Sequence, residues 1–298
     1  MDARIDLHIH SRYSEDGDLT VPEIFRLAES SDLSAISITD HDSLSSIPEA
    51  QSLLHGSRLR YIPGVEITTV LPEDGSQQHI LGYFVDPASK SLAATLGDIQ
   101  KHRITIARKR MKALQSIGIS IDQDRVWKMA DGRTPAATSI MKEAIMAEEN
   151  AGDARLETYR TGEKSDNPLM NFYRDFLAMG KPAYVPFESI PIAAGIAAVR
   201  TAGGIPVLAH PVFVRDRSML DSIVALGLMG IEAISSYHSQ EDIEYFLSYA
   251  GTRELLITAG SDFHGPTTKP KVKLGGIDGN RFEYAARLIE AAEDLHGK

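Results

Sequence analysis

Cysteine is absent from the 298 residues. Disulfides and thiolate ligands are thereby excluded, and any metal site must be built from imidazole and carboxylate. Positive charge is scarce: 31 Lys and Arg stand against 41 Asp and Glu, a formal net charge of −10. That balance argues against binding long nucleic acid, which wants a basic surface, but leaves a small phosphorylated substrate open. No apolar run approaches the roughly 20 residues of a bilayer-spanning helix, so no membrane partner is expected. Met1-Asp2-Ala3-Arg4 leads straight into an apolar alternation without a signal-peptide pattern; the expected compartment is the cytoplasm. Internal repeats and low-complexity tracts are missing too. With 43% hydrophobic and 24% charged residues, the chain has the composition of a soluble globular protein, long enough for one large α/β domain or a domain with an insert.

What the chain does have is His, Asp and Glu at the ends of apolar runs. Asp6-Leu7-His8-Ile9-His10 comes first, and Thr39-Asp40-His41-Asp42, Gly64-Val65-Glu66, Gln78-His79-Ile80, Ala209-His210-Pro211 and Gly260-Ser261-Asp262-Phe263-His264 follow. Alternate side chains of a strand share a face, so His8 and His10 can grip one ion together. Repetition of the pattern at six places predicts a metal cluster at one mouth of a barrel.

Between these pieces the chain alternates strand and helix. Strands are expected at residues 5–10, 33–39, 60–67, 78–84, 205–210, 230–235 and 255–260, several of them continuous apolar runs suited to a parallel sheet buried on both faces. Helices are expected from the Thr20-Val21-Pro22-Glu23 start and over 44–54, 190–201, 217–225, 240–249 and 281–295. The predicted fold is therefore α/β, a (β/α)7 barrel with one unit fewer than the usual eight. Residues 87–184 break the rhythm, with helices only, at 92–117, 123–130, 136–148 and 171–179. They read as a helical insertion into a discontinuous barrel domain of residues 1–86 and 185–298.

DLHIHSRYSEDG (residues 6–17), ITDHDS (38–43), GVEIT (64–68), HILGYFVD (79–86), LAHP (208–211) and GSDFHG (260–265) together resemble the PHP family, the polymerase and histidinol phosphatase group of metal-dependent phosphoesterases. The resemblance runs along essentially the whole chain. GRTP (132–135) and GKPAYV (180–185) are similar to the branch that hydrolyses nucleotide phosphates, including nucleoside 3′,5′-bisphosphates. It implies a distorted seven-stranded barrel holding two to three divalent ions. His8, His10, Glu66 and Asp262 would hold the first, Glu66 as a bridge with His79 and His210 the second, and Asp16, His41 and His264 the third. Imidazole and carboxylate suit Mn, Fe or Zn. A shared carboxylate allows ions roughly 3.5–4 Å apart, and water on such a site ionises near neutral pH and attacks phosphorus in line. The implied activity is phosphate release from small esters such as AMP or a nucleoside 3′,5′-bisphosphate. The alternative is a phosphodiesterase or 5′-3′ exonuclease acting on short oligonucleotides. A third reading, a metal-binding module without activity, expects missing ligands.

Several positions carry a choice. Relatives have a shorter loop after the His pair, so Glu15 or Asp16 is the loop ligand; Asp16 is preferred because the turn at Gly17 is less able to shift. His238 is a candidate to protonate the leaving oxygen. Arg103, which opens a basic stretch through Arg108, Lys109 and Arg110, and Arg133 match phosphate-binding positions of relatives, whereas Ile106 replaces a further arginine. Lys181 is another basic group of the insertion. Asp6, Asp40 and Asp42 are expected to orient ligand imidazoles. His55, His102 and His296 are read as surface residues, and Met111, Met129, Met141, Met146 and Trp127 as core of the insertion.

Overall fold

The computed structural model describes residues 4–297; Met1, Asp2 and Ala3, on which the reading of the N-terminus rests, lie outside them. The chain divides into two compact units, one of residues 1–99 and 189–298, the other of residues 100–188.

The first unit is α/β, with two sheets. β1 (Arg4–Ile9), β2 (Leu33–Ile38) and β3 (Arg60–Tyr61) form a parallel sheet in that order. α1 (Val21–Ser30) connects the first two. It starts where expected: the Glu23 carboxylate accepts from the Thr20 amide at 2.8 Å and hydroxyl at 2.6 Å. The second sheet runs β6 (Ile190–Pro191), β4 (Gly64–Val70), β5 (Gln77–Tyr83), β7 (Ile205–Leu208), β8 (Gly230–Ser235), β9 (Leu256–Gly260).

Two differences from the expected distorted seven-stranded (β/α)7 barrel have physical causes. The run at 60–67 is two strands, because Pro63 has no amide hydrogen to continue the ladder; Ile62 N still bonds Ile36 O at 2.9 Å, after which the chain joins the other sheet. β4 and β5 are the arms of a hairpin, so β5 runs antiparallel to both β4 and β7. Isolated bridges, Ile9 with Phe263 and His41 with Glu66, join the two sheets at their seams. The remaining helices α2 (Ser46–Ser52), α8 (Ile192–Thr201), α9 (Leu220–Ala225), α10 (Gln240–Thr252) and α11 (Phe282–Leu295) also belong to this unit. Its core includes fully buried Ile67, Val207, Ile231 and Phe246 and, in a second cluster, Ile24 of α1 with Ile36 and Ile38 of β2. Burying such side chains contributes roughly 1.5–3 kcal/mol each. Tyr83 is buried among them with its hydroxyl donated to Leu7 O at 2.9 Å.

α3 (Lys90–Ser116) begins in the first unit, where Leu92, Leu96 and Ile99 pack on its core, so the boundary falls inside this helix rather than at residue 87. The second unit continues with α4 (Gln123–Ala130), α5 (Ala137–Met146), α6 (Ala154–Arg160) and α7 (Pro168–Phe172). α6 was not expected; Asp153 caps it by accepting from Arg155 N at 2.9 Å. Met111, Leu114, Val126, Ile140, Met141, Leu156 and Phe172 are buried together. Met129 and Met146, expected in that core, are exposed, and Trp127 is half-buried beneath the Arg108 guanidinium.

Candidate metal centre

The seams bring the predicted residues of the first unit together. His10 N bonds Phe263 O at 2.8 Å, Thr39 N bonds Ile9 O at 2.8 Å, and Glu66 N and Asp42 N pair with Asp40 O and Glu66 O at 3.2 and 2.8 Å. Glu66 and His79 are not at strand ends: each is the third residue of its strand. Register pairs Glu66 with Leu81 and Thr68 with His79, so the two are diagonal neighbours on one face of the hairpin. His210 and Asp262 follow their strands in left-handed conformations, φ 26° and 54°, which turn the chain sharply at the site.

Three overlapping groups could each hold a metal ion: His8, His10, Glu66 and Asp262; His41, Glu66 and His79; and His10, Asp16, His41 and His264. Glu66 Oε2 lies 3.2 Å from both His8 Nε2 and His10 Nε2 and 3.0 Å from His41 Nδ1. Its Oε1 lies 2.8 Å from His79 Nδ1 and 3.1 Å from His210 Nε2. Asp262 Oδ1 stands 3.3 and 3.0 Å from His8 and His10 Nε2. Asp16 Oδ2 is 3.3 Å from His264 Nε2 and 3.8 Å from His41 Nε2. The expected partition of ligands is therefore less sharp than the resemblance implies: His41 faces Glu66 with one nitrogen and Asp16 with the other. The structure puts Asp16, not Glu15, in this group. The turn that follows has room only for glycine, since a Cβ on Gly17 would lie 1.9 Å from Ser11 O.

The donor atoms fit a cation. His8 Nε2, His10 Nε2, His41 Nδ1, Glu66 Oε2 and Asp262 Oδ1 are buried and lack hydrogen-bond partners while converging on one another. Leaving a buried polar atom unpaired costs about 1–3 kcal/mol, and divalent ions among these atoms would offset several such costs together. Burial alone would raise Glu66 and Asp262; His79, His8 and His41 hold Glu66, and Lys269, His264 and His8 hold Asp262, well below the usual carboxylate range. Burial disfavours charge on His8, yet Glu66, Glu232 and Asp262 raise its pKa well above the ordinary value.

Surrounding groups differ from expectation. Asp6 accepts from Ser261 N and Oγ, Gly275 N and His8 N, and Asp40 from Ser11 N and Oγ, so both tie backbone segments together rather than orienting imidazoles. Burial lifts the Asp6 pKa to about 6 against those bonds. Asp42 accepts from Thr68 N and Oγ1 at 2.8 Å each. The imidazole-orienting acid is Glu232, buried in β8: Oε1 accepts from His8 Nδ1 at 2.9 Å and Oε2 from His210 N at 2.8 Å. An acid inside the apolar run Gly230-Ile231-Glu232-Ala233 was the available signal. His238 donates Nδ1–H to Ala233 O at 3.0 Å and packs on Phe246. Burial holds its pKa below the ordinary imidazole value. Its neighbour Tyr237, overlooked in the sequence, is the residue of this loop that reaches a cluster carboxylate, donating to Asp262 Oδ2 at 2.6 Å.

Arg103 and Arg133 both lie in the second unit. Arg103 is buried on α3, as is Ile106, while Arg108 is exposed and Lys109 pairs with Glu188 at 2.9 Å. Arg133 follows a left-handed turn at Asp131 and Gly132 and bonds Ala130 O through Nε at 3.1 Å. Lys181, His55 and His296 are exposed and His102 is half-buried.

Comparison with known proteins places these features in a class. The PHP domain model matches residues 6–152. The chain carries a PHP domain and is a metal-dependent phosphoesterase. It is 29% identical to a 3′,5′-nucleoside bisphosphate phosphatase of Chromobacterium violaceum, over 89% of this chain and 88% of that protein. It is 27% identical to a 5′-3′ exoribonuclease of Haemophilus influenzae, over 89% and 92% of the two chains. A solved structure, described as a metal-dependent phosphoesterase of Bifidobacterium adolescentis, superposes with a TM-score of 0.77 at 25% identity, covering 99% of both chains.

Proposed function

We propose that this chain hydrolyses small phosphate monoesters, AMP or a nucleoside 3′,5′-bisphosphate, using two to three Mn, Fe or Zn ions. The supporting observation is the convergence of buried, unpartnered donor atoms around Glu66. In this reading His8, His10, Asp16, His41, Glu66, His79, His210, Asp262 and His264 would hold the ions, and Glu66, whose two oxygens face different imidazoles, would be shared between them. The ions, when bound, would polarise the phosphoryl oxygens and activate water for in-line attack. The chain's own part is positional: Glu232 fixes the His8 ring, and burial keeps carboxylates and imidazoles from being solvated separately. Arg103 and Arg133 are proposed to bind substrate phosphate, as the family resemblance suggests.

The likeness to a bisphosphate phosphatase supports this substrate class. The exoribonuclease relative supports a second reading, removal of nucleotides from short RNA. The net charge of −10 favours the small substrate. The deciding experiment screens Mn-loaded protein against AMP, a 3′,5′-bisphosphate, sugar phosphates and 5′-phosphorylated oligonucleotides. Phosphate release from the nucleotides, abolished by a chelator, is expected. Release of mononucleotides from the oligomers with none from AMP or the bisphosphate would sink the phosphatase reading.

A further inference from the structure

The two central carboxylates meet the cluster in opposite ways. Glu66 turns both oxygens toward imidazole nitrogens, Oε1 to His79 and His210 and Oε2 to His8, His10 and His41. Asp262 turns only Oδ1 that way, toward His8, His10 and His264. Its Oδ2 accepts from the Tyr237 hydroxyl at 2.6 Å and from the Lys269 ammonium at 2.5 Å, and Lys269 also donates to the Tyr237 oxygen at 2.5 Å. The triangle is closed. The Tyr237 ring packs against His210, centroids 5.7 Å apart, and against Phe213 at 4.9 Å, and Lys269 Nζ stands 5.1 Å from the centre of the same ring. Oδ1 by contrast is buried without a hydrogen-bond partner.

We infer that Tyr237 and Lys269 are positioning residues that confine Asp262 to a single ligand oxygen, Oδ1, and so keep one coordination position of its ion open for substrate. This inference rests on the reading of the cluster as a metal centre. A carboxylate with both oxygens free can chelate one ion through the pair. Two donors on Oδ2, one of them cationic, occupy the lone pairs that a second bond to the ion would need. They also draw electron density away from Oδ1, which leaves the ion a stronger Lewis acid. Groups of this outer kind typically change metal affinity or activity by about 10- to 100-fold when removed. Neither residue touches the reacting phosphate in this account. Their effect on the reaction passes through Asp262.

The test compares wild type with Tyr237→Phe, Lys269→Met and the double variant. Mn2+ isotherms are measured by electron paramagnetic resonance, kcat and KM on the best phosphomonoester, and fold by circular dichroism. With Oδ2 released to chelate, the double variant should bind Mn2+ at least as tightly as wild type, while kcat drops roughly 10- to 100-fold and KM stays within about twofold. Lys269→Arg, which keeps a cationic donor, should recover part of kcat. Tyr237→Phe retains the ring packed on His210 and Phe213, so it judges the idea even if the double variant does not fold. A loosened Mn2+ equivalent would show that the pair merely holds the site together, and a raised KM with unchanged kcat would make Lys269 a substrate ligand; either outcome overturns the inference. Wild-type protein that takes up no Mn2+ would instead bring down the metal reading itself, whatever the substrate.

Discussion

At the scale of single residues, Glu66 and His264 separate the roles within the cluster. Glu66 faces five imidazoles with two oxygens, whereas His264 Nε2 stands beside Asp16 alone among the carboxylates. Glu66→Ala should therefore remove more than one equivalent of bound metal and His264→Ala about one, as read by elemental analysis; equal losses would count against the bridge. Asp16→Asn should impair metal binding more than Glu15→Gln, because it is Asp16 that joins His41 and His264. Glu232→Ala should weaken metal binding by about 10- to 100-fold, since it frees the His8 ring, and Glu232→Gln should restore part of that through its remaining acceptor oxygen. A wild-type isotherm for Glu232→Ala would end the claim that this acid orients His8. All nine proposed ligands were legible because each lies in a short motif. Glu232 was not, because nothing next to it in sequence reveals that β8 runs beside His8 and His210. Asp6 and Asp40 misled for the converse reason: proximity to a histidine in sequence said nothing of the amides their oxygens would find.

Elements set how closely these residues can approach. A Cβ on Gly260 would lie 2.2 Å from His8 Cβ and 2.8 Å from His8 N, with Glu232 Oε1 at 2.7 Å. The end of β9 can pass β1 only without a side chain there. Gly260→Ala should cost about 1–3 kcal/mol by overpacking, lower the melting temperature, and displace His8 enough to weaken metal uptake. An unchanged melting temperature and isotherm would show that the strands yield easily. The strands were readable as apolar runs, except that the run at 60–67 is two strands, but their pairing was not. The hairpin that makes β5 antiparallel depends on the tight return between Val70 and Gln77, and an apolar run reads alike in either direction. Helical methionines show the same limit. Met111 is fully buried and Met146 is 71% exposed, although both were read as core of the insertion. Met111→Ala should cost about 2–5 kcal/mol and Met146→Ala less than about 0.5 kcal/mol, measured by denaturant unfolding.

On the scale of the whole molecule, the proposed metal ligands belong to the unit of residues 1–99 and 189–298, and the proposed phosphate-binding residues Arg103 and Arg133 to the unit of residues 100–188. The insertion was visible as a loss of strand rhythm. Its edge was not, because α3 is one uninterrupted helix shared by both units, and no sequence break marks where the packing partner changes. This division gives a test of substrate choice that leaves the metals alone. If Arg133 binds phosphate, Arg133→Ala should reduce kcat/KM while metal content stays at the wild-type level. A lost charged hydrogen bond is worth about 1.5–3 kcal/mol, roughly a 10- to 150-fold reduction. Lysine should rescue only part of it, because an ammonium lacks the planar fork of a guanidinium. The comparison of substrates then assigns the phosphate. A loss confined to the 3′,5′-bisphosphate means that Arg133 reads the second phosphate and that the bisphosphate is the better substrate. Equal losses on AMP and the bisphosphate put it at the reacting group, and simple nucleotide monophosphatase activity becomes the better description. A loss seen only on a 5′-phosphorylated dinucleotide would move the assignment to the ribonuclease reading. Unchanged kinetics on all three would reduce Arg133 to a group that caps the end of α4 through its bond to Ala130 O.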